Sequence, residues 1–290
     1  MYTLKNDDLT VNIQNIGAEI CSIKNNTTGD EYMWNANPEI WGSHAPVLFP
    51  IIGALKDNEY IFEGKTYTIP KHGFIRYNKE LYCVEHTDEK LTLSLRYNEE
   101  YLAMYPFKFE FYITYTLEKK KLKVQHYIIN HGDDAMYFSL GGHPAFKCPL
   151  HHNESYSDYE LIFETEETDD IHLLTDNGLQ SGESKPLLHQ QKTLGLKHEM
   201  FENDALIFKH LTSKKIQLSH KTSGPILQVA FSDFDYVGIW AKPNGDFVCI
   251  EPWLGITDVV NTSKNFKEKE GILTLEGKKE YSAVFSIEIF

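Results

Sequence analysis

The chain has 290 residues, and its 42 acidic against 28 basic residues give a formal net charge of −14. An apolar content of 41% is ordinary for a globular chain and excludes wholesale disorder, while the negative charge disfavours binding to nucleic acid or to an anionic membrane surface. No apolar stretch reaches the roughly 18 residues of a transmembrane helix, and residues 1–9 lack the apolar core of a signal peptide, so we expect a cytoplasmic protein.

Alternation of apolar and polar residues predicts strands along most of the chain. The predicted strands and hairpin, in chain order, are 9–13, a hairpin over 60–69 with its turn at 63–65, 91–95, 107–117, 122–129, 226–231, 237–240, 247–250 and 281–290. Residues 98–105 favour one or two helical turns, and the acidic and polar region 165–191 is expected to form long loops. With no linker or internal repeat, the pattern predicts one all-β domain over residues 1–290, a large antiparallel β-sandwich.

The four cysteines are scattered and form no C-x-x-C pair. They are Cys21, Cys83, Cys148 and Cys249. For a chain without a signal peptide, reduced thiols are expected. No ligand spacing for zinc and no nucleotide-binding glycine motif is present, so we expect neither a metal site nor a cofactor.

One segment that interrupts the strand pattern is 70–76, with the sequence PKHGFIR. Its proline and glycine predict a loop, which can present His72 and Arg76 to a ligand. Arg76 is one of only two arginines in the chain, and its planar guanidinium is not replaceable by lysine. The alternative is a surface loop with incidental charges.

A second such segment is 139–146, with the sequence SLGGHPAF. The two glycines allow close approach of the backbone, and Pro144 restricts the chain just after His143. A histidine held in this way can act as a general acid or base near neutral pH. The alternative is a buried structural histidine that bonds to backbone groups.

The third segment is 247–255, where Glu251 ends an apolar strand and Trp253 follows. Apolar neighbours should raise the pKa of this glutamate, which suits a general base. A tryptophan beside a carboxylate is also suited to a sugar, because the ring packs on C–H surfaces while the carboxylate accepts hydroxyl hydrogen bonds. The alternative is a carboxylate that points into solvent.

Three further positions are weaker candidates on their own. Asp204 precedes an apolar strand, which is most often a turn or cap position. Lys56 lies just before the hairpin and carries no signal by itself. The pair at 151–152, two histidines, is interpreted as an exposed loop pair.

Taken together, these segments resemble the aldose 1-epimerase (galactose mutarotase) superfamily and its LacX-like branch. The matching segments, in chain order, are 15–20 (NIGAEI), 46–50 (PVLFP), 72–74 (HGF), 142–146 (GHPAF), 204–206 (DAL) and 251–255 (EPWLG). Their order and spacing carry the resemblance over nearly the whole chain. It implies the β-supersandwich fold of that family and a cofactor-independent isomerase.

The resemblance also implies roles for individual residues. Glu251 would be the general base that removes the proton of the anomeric hydroxyl, and His143 the acid that protonates the ring oxygen. The sugar ring would open, rotate about C1–C2 and close as the other anomer. His72 and Asp204 would bind the sugar hydroxyls.

Two departures bear on the substrate. Lys56 stands where classical mutarotases have an arginine, and Gly-His-Pro-Ala-Phe replaces Asn-His-x-Tyr-Phe around the histidine. The HGFIR sequence is similar to the HGFAR motif of hexose-6-phosphate 1-epimerases, which implies a phosphate contact for Arg76, with Lys56 or Lys71 nearby. The expected substrate is thus a hexose or a hexose 6-phosphate.

Two other classes of function stay open. A non-catalytic sugar-binding or sugar-sensing protein would keep the pocket but would not need both an acid and a base. A glycoside-cleaving enzyme would need two carboxylates such as Glu251 and Asp204, and would leave His143 without a role. Neither the sugar nor the oligomeric state follows from the sequence.

Overall fold

Antiparallel β-strands dominate the structure, a computed structural model that describes residues 1–290. The strands, in chain order, are β1 (Tyr2–Lys5), β2 (Leu9–Ile13), β3 (Ile20–Asn25), β4 (Val47–Leu48), β5 (Glu59–Phe62), β6 (Lys65–Thr68), β7 (Tyr82–His86), β8 (Lys90–Arg96), β9 (Phe109–Glu118), β10 (Lys121–Asn130), β11 (Met136–Phe138), β12 (Leu140–Gly142), β13 (Ala145–Lys147), β14 (Tyr159–Leu174), β15 (Gln180–Gly195), β16 (Leu206–Phe208), β17 (Lys215–His220), β18 (Gly224–Ala230), β19 (Tyr236–Trp240), β20 (Phe247–Leu254), β21 (Leu273–Leu275) and β22 (Glu280–Ile289).

Helical structure is limited to short segments. The α-helix α1 (Glu99–Met104) begins after Asn98, whose side chain accepts a hydrogen bond from the Tyr101 amide and so caps the first turn. Four single turns of 3-10 helix lie at Lys56–Asn58, Tyr156–Asp158, His198–Phe201 and Phe266–Glu268. None of these helices has the length and apolar composition needed to cross a membrane.

Fifteen strands form one sheet, in which the path of neighbours runs β4-β12-β20-β19-β16-β14-β17-β18-β22-β10-β9-β8-β7. The remaining two of the fifteen strands lie beside this path: β13 pairs with β20, and β15 pairs with β14. Three small separate sheets consist of β1, β2 and β3, of β5 and β6, and of β11 and β21. A strongly twisted sheet with this many strands curls over on itself so that its halves pack together as layers.

Contacts between distant strands show how the large sheet folds over. Phe49, directly after β4, packs on Phe109 and Phe111 of β9, with ring centroids 5.5 and 5.1 Å apart. Gly142 of β12 faces the ring of Phe285 of β22, which lies 2.9 Å from where a Cβ would be. Because β4 and β12 are far from β9 and β22 along the sheet, the two halves stack as the layers of a sandwich around a core of 73 buried apolar residues.

The strands predicted from alternation are confirmed, and so are the hairpin and the short helix. In the hairpin, Glu63 and Gly64 both have positive φ, 49° and 76°, as a two-residue turn between twisted strands requires. The all-β sandwich prediction is therefore correct. The four cysteines are free, as expected.

The prediction of long loops over residues 165–191 is wrong. Most of that region belongs to β14 and β15, which form a long hairpin with several register shifts. Its polar composition has a structural use, because Glu167 accepts hydrogen bonds from the amides of Thr212 and Ser213, and Asp169 accepts one from that of His210. The outer strand β15 is largely exposed, so it needs no apolar alternation.

A buried ion pair anchors the segment that follows β20. Lys269 Nζ lies 3.1 Å from Asp258 Oδ1, with side-chain exposures of 3% and 5%, and also donates to the carbonyl of Ile256. Burial lowers the pKa of Lys269, and the negative charge of Asp258 opposes this shift. Thr257, between these two partners, faces the cavity described below.

We expect Lys269→Met to lower the free energy of unfolding by about 3–5 kcal/mol, because Asp258 would remain buried without its partner. The matched control is Lys278→Met, which removes an exposed pair with Asp133 and should cost no more than about 1 kcal/mol. Urea denaturation of both variants measures the difference. Equal losses would show that the buried pair adds nothing beyond a surface one.

Candidate active site

Strand register brings the two principal candidates together. The chain runs through β12, breaks at His143 and continues as β13, and both strands pair with β20. Ala145 lies opposite Cys249 in this antiparallel pairing. Continuing the same register by two residues places position 143 opposite position 251. That register places His143 beside Glu251.

The two side chains form a close pair below the surface. His143 Nε2 lies 3.3 Å from Glu251 Oε2, and the side chains are 11% and 2% exposed. Neither the Oε2 atom nor His143 Nδ1 has a hydrogen-bond partner within the protein. The separation permits proton exchange between the two groups or with a molecule bound against both.

Burial favours the uncharged form of both groups. Loss of solvation raises the pKa of Glu251 well above its usual range, and the neighbouring charge of Asp204 adds to this shift. Loss of solvation lowers the pKa of His143 to about 3, with a further contribution from the positive charge of Arg76. Burial thus favours the uncharged form of each group, the carboxylic acid of Glu251 and the neutral imidazole of His143.

Two tryptophans hold the His143 ring. Trp41 stacks on it, with ring centroids 5.0 Å apart and an interplanar angle of 26°, and Trp240 meets it edge-on at 5.5 Å. Both indoles also line the cavity, so they restrict the imidazole and keep water away from it. This role was not predictable from the sequence, because neither tryptophan lies near His143 in the chain.

His72 is a neutral donor toward the cavity. Its Nδ1 accepts a hydrogen bond of 3.1 Å from the Gly53 amide, so the ring proton lies on Nε2. Burial lowers the pKa of His72 well below its usual range, with a smaller contribution from His143, 5.8 Å away between ring centroids. Gly73, next in the chain, has a φ of 76°, and a Cβ there would overlap the Phe49 carbonyl, so this loop conformation requires glycine.

Asp204 and Trp253 complete the polar groups that the sequence singled out. Asp204 has a φ of 74° and accepts a hydrogen bond from the Ala205 amide through Oδ1. Trp253 is 5% exposed, and its Nε1 has no partner in the protein. Its indole fits because Gly238 on the adjacent strand lacks a side chain; a Cβ there would lie 2.5 Å from the ring.

These groups line one cavity of about 280 Å³. Three cationic side chains, Lys71, Arg76 and Lys242, lie in its wall together with Asp204 and Glu251. The other lining residues are Trp41, Ile52, Gly53, His72, His143, Leu174, Gly178, Ala205, Ile207, Trp240, Trp253 and Thr257. Six of the seven residues singled out by the sequence thus meet here, while Lys242 was missed because an isolated lysine in a loop has no pattern.

Lys56, the seventh, is not part of the cavity wall. Its Nζ donates to the Val260 carbonyl at 2.8 Å, and its amide donates to Asp258 Oδ2 at 3.2 Å. The proposed substrate contact of Lys56 is therefore not supported by this geometry. Its side chain fastens the hairpin entry to the segment after β20 instead.

A second and larger cavity, of about 880 Å³, lies elsewhere on the surface and includes the histidines at 151 and 152. Two of its acids already have partners, since Glu31 accepts from the Ile23 and Met33 amides and Glu154 accepts from the His151 amide. The contact of His151 Nδ1 with Asp30 Oδ1 is longer, 3.8 Å, and both side chains are much more exposed than those of His143 and Glu251. No acid–base pair like that of His143 and Glu251 is formed there. The smaller cavity is thus the candidate active site.

The family described as aldose 1-epimerase matches residues 1–287, and the chain belongs to this family. The sandwich is of the galactose mutarotase-like type, and the LacX-like resemblance is confirmed. Protein LacX from Lactococcus lactis subsp. lactis is 35% identical over 276 residues, which are 92% of this chain and 91% of that protein.

Two solved structures are similar over their full lengths. A galactose mutarotase related enzyme from Lactobacillus acidophilus is 38% identical with a TM-score of 0.93, and the match covers 100% of this chain and 97% of that one. A galactose mutarotase-like protein from Lactobacillus casei ATCC 334 is 27% identical with a TM-score of 0.93 and is covered completely, as is this chain. These similarities support an isomerase-type enzyme with a sugar substrate.

Proposed function

We propose that this protein is an aldose 1-epimerase that interconverts the α and β anomers of a hexose or hexose 6-phosphate, with residues 1–290 acting as one domain. The observation that carries the proposal is the pair of His143 Nε2 and Glu251 Oε2, 3.3 Å apart in the wall of the cavity. A cavity of about 280 Å³ lies at the small end of ligand sites and suits a monosaccharide. No cofactor is needed for this reaction.

Ring opening needs one group to accept the proton of the anomeric hydroxyl and another to donate a proton to the ring oxygen. Glu251 as carboxylate and His143 as imidazolium perform these steps, and the bond between C1 and the ring oxygen breaks. After rotation about C1–C2, the aldehyde is attacked from its other face. The same two proton transfers in reverse restore the pair.

The proposed resting arrangement is a carboxylic acid beside a neutral imidazole, which are the uncharged forms that burial favours. The reactive arrangement, carboxylate with imidazolium, has the same net charge and differs only by transfer across 3.3 Å. A sugar hydroxyl bound against the carboxyl supplies a hydrogen bond to the charged form and so favours this transfer. The enzyme can therefore hold a neutral pair at rest without losing the proton that the reaction uses.

Binding of the sugar is assigned to groups of opposite hydrogen-bonding character. His72 offers an N–H from Nε2, and Asp204 offers carboxylate oxygens to hydroxyl protons. Trp253 adds an N–H without a protein partner. Donors and an acceptor in one small cavity match a polyol, whose hydroxyls both donate and accept.

The test is saturation-transfer NMR of anomer exchange over a panel of hexoses and their 6-phosphates. Accelerated exchange of at least one sugar is expected. Saturable binding without acceleration would favour the alternative of a non-catalytic sugar-binding protein. If no sugar of the panel bound or exchanged faster, both the enzyme and the sugar-binding protein would be contradicted.

Among the candidate substrates, the cationic wall favours a phosphorylated sugar. Lys71, Arg76 and Lys242 surround a cavity in a chain whose net charge is −14. Arg76 Nη2 donates to the Tyr77 hydroxyl at 2.8 Å, which orients the guanidinium, while its Nε has no partner. The charged groups of the cavity wall determine whether a phosphate is attracted there, because the charge of the rest of the surface is screened within about 8 Å at physiological salt.

We expect Arg76→Ala to raise KM for the preferred hexose 6-phosphate by about tenfold or more, since a hydrogen bond to a charged group is worth about 1.5–3 kcal/mol. KM for the corresponding free hexose should change little. Arg96→Ala is the matched control, because Arg96 is the other arginine of the chain and lies outside the cavity. An equal effect of Arg76→Ala on both sugars would contradict a phosphate contact.

A further inference from the structure

Three groups that can bind a metal ion meet beside the candidate active site. His143, Cys249 and Glu251 each offer one donor atom, and these atoms lie within 4.8 Å of one another. Cys249 is fully buried and has no role in the proposed proton transfers. Along the chain, His143 is more than a hundred residues from the other two, so ligand spacing in the sequence did not reveal the cluster.

The backbone fixes this cluster. Cys249 and Glu251 are alternate residues of β20, so their side chains point to the same face of the strand. His143 lies opposite this part of β20 across the break between β12 and β13. The three donors therefore converge without any long or flexible side chain having to reorganise.

The separation of the nitrogen and oxygen donors agrees with tetrahedral zinc. Bonds of about 2.0–2.2 Å to nitrogen and oxygen place two neighbouring ligands of a tetrahedron about 3.3–3.5 Å apart. His143 Nε2 and Glu251 Oε2 are separated by 3.3 Å. An imidazole, a thiolate and a carboxylate with one position left open form a donor set that zinc accepts.

We propose that His143, Cys249 and Glu251 form a binding site for Zn²⁺, and that zinc bound there inhibits the enzyme. With the imidazole nitrogen and the carboxylate oxygen bound to the ion, neither group can exchange protons with a sugar. The inhibition rests on the proposed function, whereas the binding of zinc does not. The Cys249 thiol and the carboxyl group release their protons to solvent as the ion binds, and no oxidation or reduction takes place.

The surroundings set the strength and selectivity of the site. Lys71 and Arg76 oppose a cation, whereas Asp204 attracts one. Burial also raises the pKa of the Cys249 thiol, which must lose its proton on binding. A thiolate ligand selects Zn²⁺ over Mg²⁺ and Ca²⁺, which prefer oxygen.

Binding is tested with Co²⁺ as a spectroscopic substitute for zinc, added to the metal-stripped full-length protein. We expect the near-ultraviolet charge-transfer band of a cobalt–thiolate bond, and its displacement by Zn²⁺ but not by Mg²⁺. Cys249→Ser should abolish the band. Cys148→Ser is the matched control, because Cys148 is also a buried free cysteine but is not part of the cluster, and it should keep the band.

Inhibition is tested by measuring anomer exchange against Zn²⁺ concentration, each variant relative to its own activity without metal. Cys249→Ser should raise the inhibitory concentration by about tenfold or more. If that variant does not fold, Glu251→Gln, which keeps the thiol, should weaken Co²⁺ binding by a similar factor. No thiolate band in the wild type, or a band that survives Cys249→Ser, would overturn the site, and this result does not depend on whether the protein is an epimerase.

Discussion

Replacement of Glu251 by glutamine is expected to slow anomer exchange by about 10²–10⁴-fold, the usual contribution of a positioned acid or base. The amide has nearly the same shape as the carboxyl but cannot take a proton from the anomeric hydroxyl. Since the side chain is 2% exposed, bulk buffer cannot reach the reacting proton from that side to replace it. Saturation-transfer NMR with the preferred sugar gives the exchange rate.

The control for this variant is Glu110→Gln. Glu110 is another largely buried glutamate paired with a histidine, His131, at 2.7 Å, but it lies outside the cavity. Its pKa is lowered by hydrogen bonds from His131 and Tyr112, although desolvation opposes this shift, so the replacement should reduce stability and leave exchange by the folded protein unchanged. Near wild-type exchange by Glu251→Gln would contradict the role of Glu251 as the general base.

Replacement of His143 by asparagine should produce a loss in the same range of about 10²–10⁴-fold. Asparagine can still form hydrogen bonds but cannot cycle between a protonated and a neutral state. The change also removes the ring that stacks on Trp41, so near-ultraviolet circular dichroism should accompany the exchange measurement. Sugar binding, followed by ligand-observed NMR, should persist because His72 and Asp204 remain.

His131→Asn is the corresponding control, since His131 pairs with Glu110 and lies outside the cavity. It should exchange anomers at the wild-type rate. Should His143→Asn also retain that rate while the protein stays folded, the site would be a binding pocket rather than a catalytic one. Loss of both binding and exchange would instead indicate collapse of the cavity wall.

The sandwich was predictable from the sequence, and so was the choice of His143 and Glu251 as candidate residues, for different reasons. Alternation in segments such as 107–117 follows from one face of a strand being buried, so it is visible in a single chain. His143 and Glu251 were visible because glycine and proline interrupt the strand pattern beside each of them. Their proximity came from the family resemblance, because the pairing of β12 and β13 with β20 is a long-range property of the sheet.

The failures have physical causes as well. Residues 165–191 were interpreted as loops because β15 is mostly exposed, and backbone hydrogen bonds hold such a strand without an apolar face. Trp41 and Trp240 were missed because they reach the site from distant segments and are held there by packing. Lys56 was assigned by analogy with an arginine, whereas its ammonium bonds to a carbonyl outside the cavity.

The site divides its tasks between two kinds of backbone. The spacing of His143 and Glu251 is set by ladders of hydrogen bonds on both sides of the break between β12 and β13. Arg76 and Asp204, which would recognise the sugar, lie outside the regular strands. If the proposed roles hold, substitutions at Arg76 and Asp204 would change which sugar is accepted without moving His143 relative to Glu251.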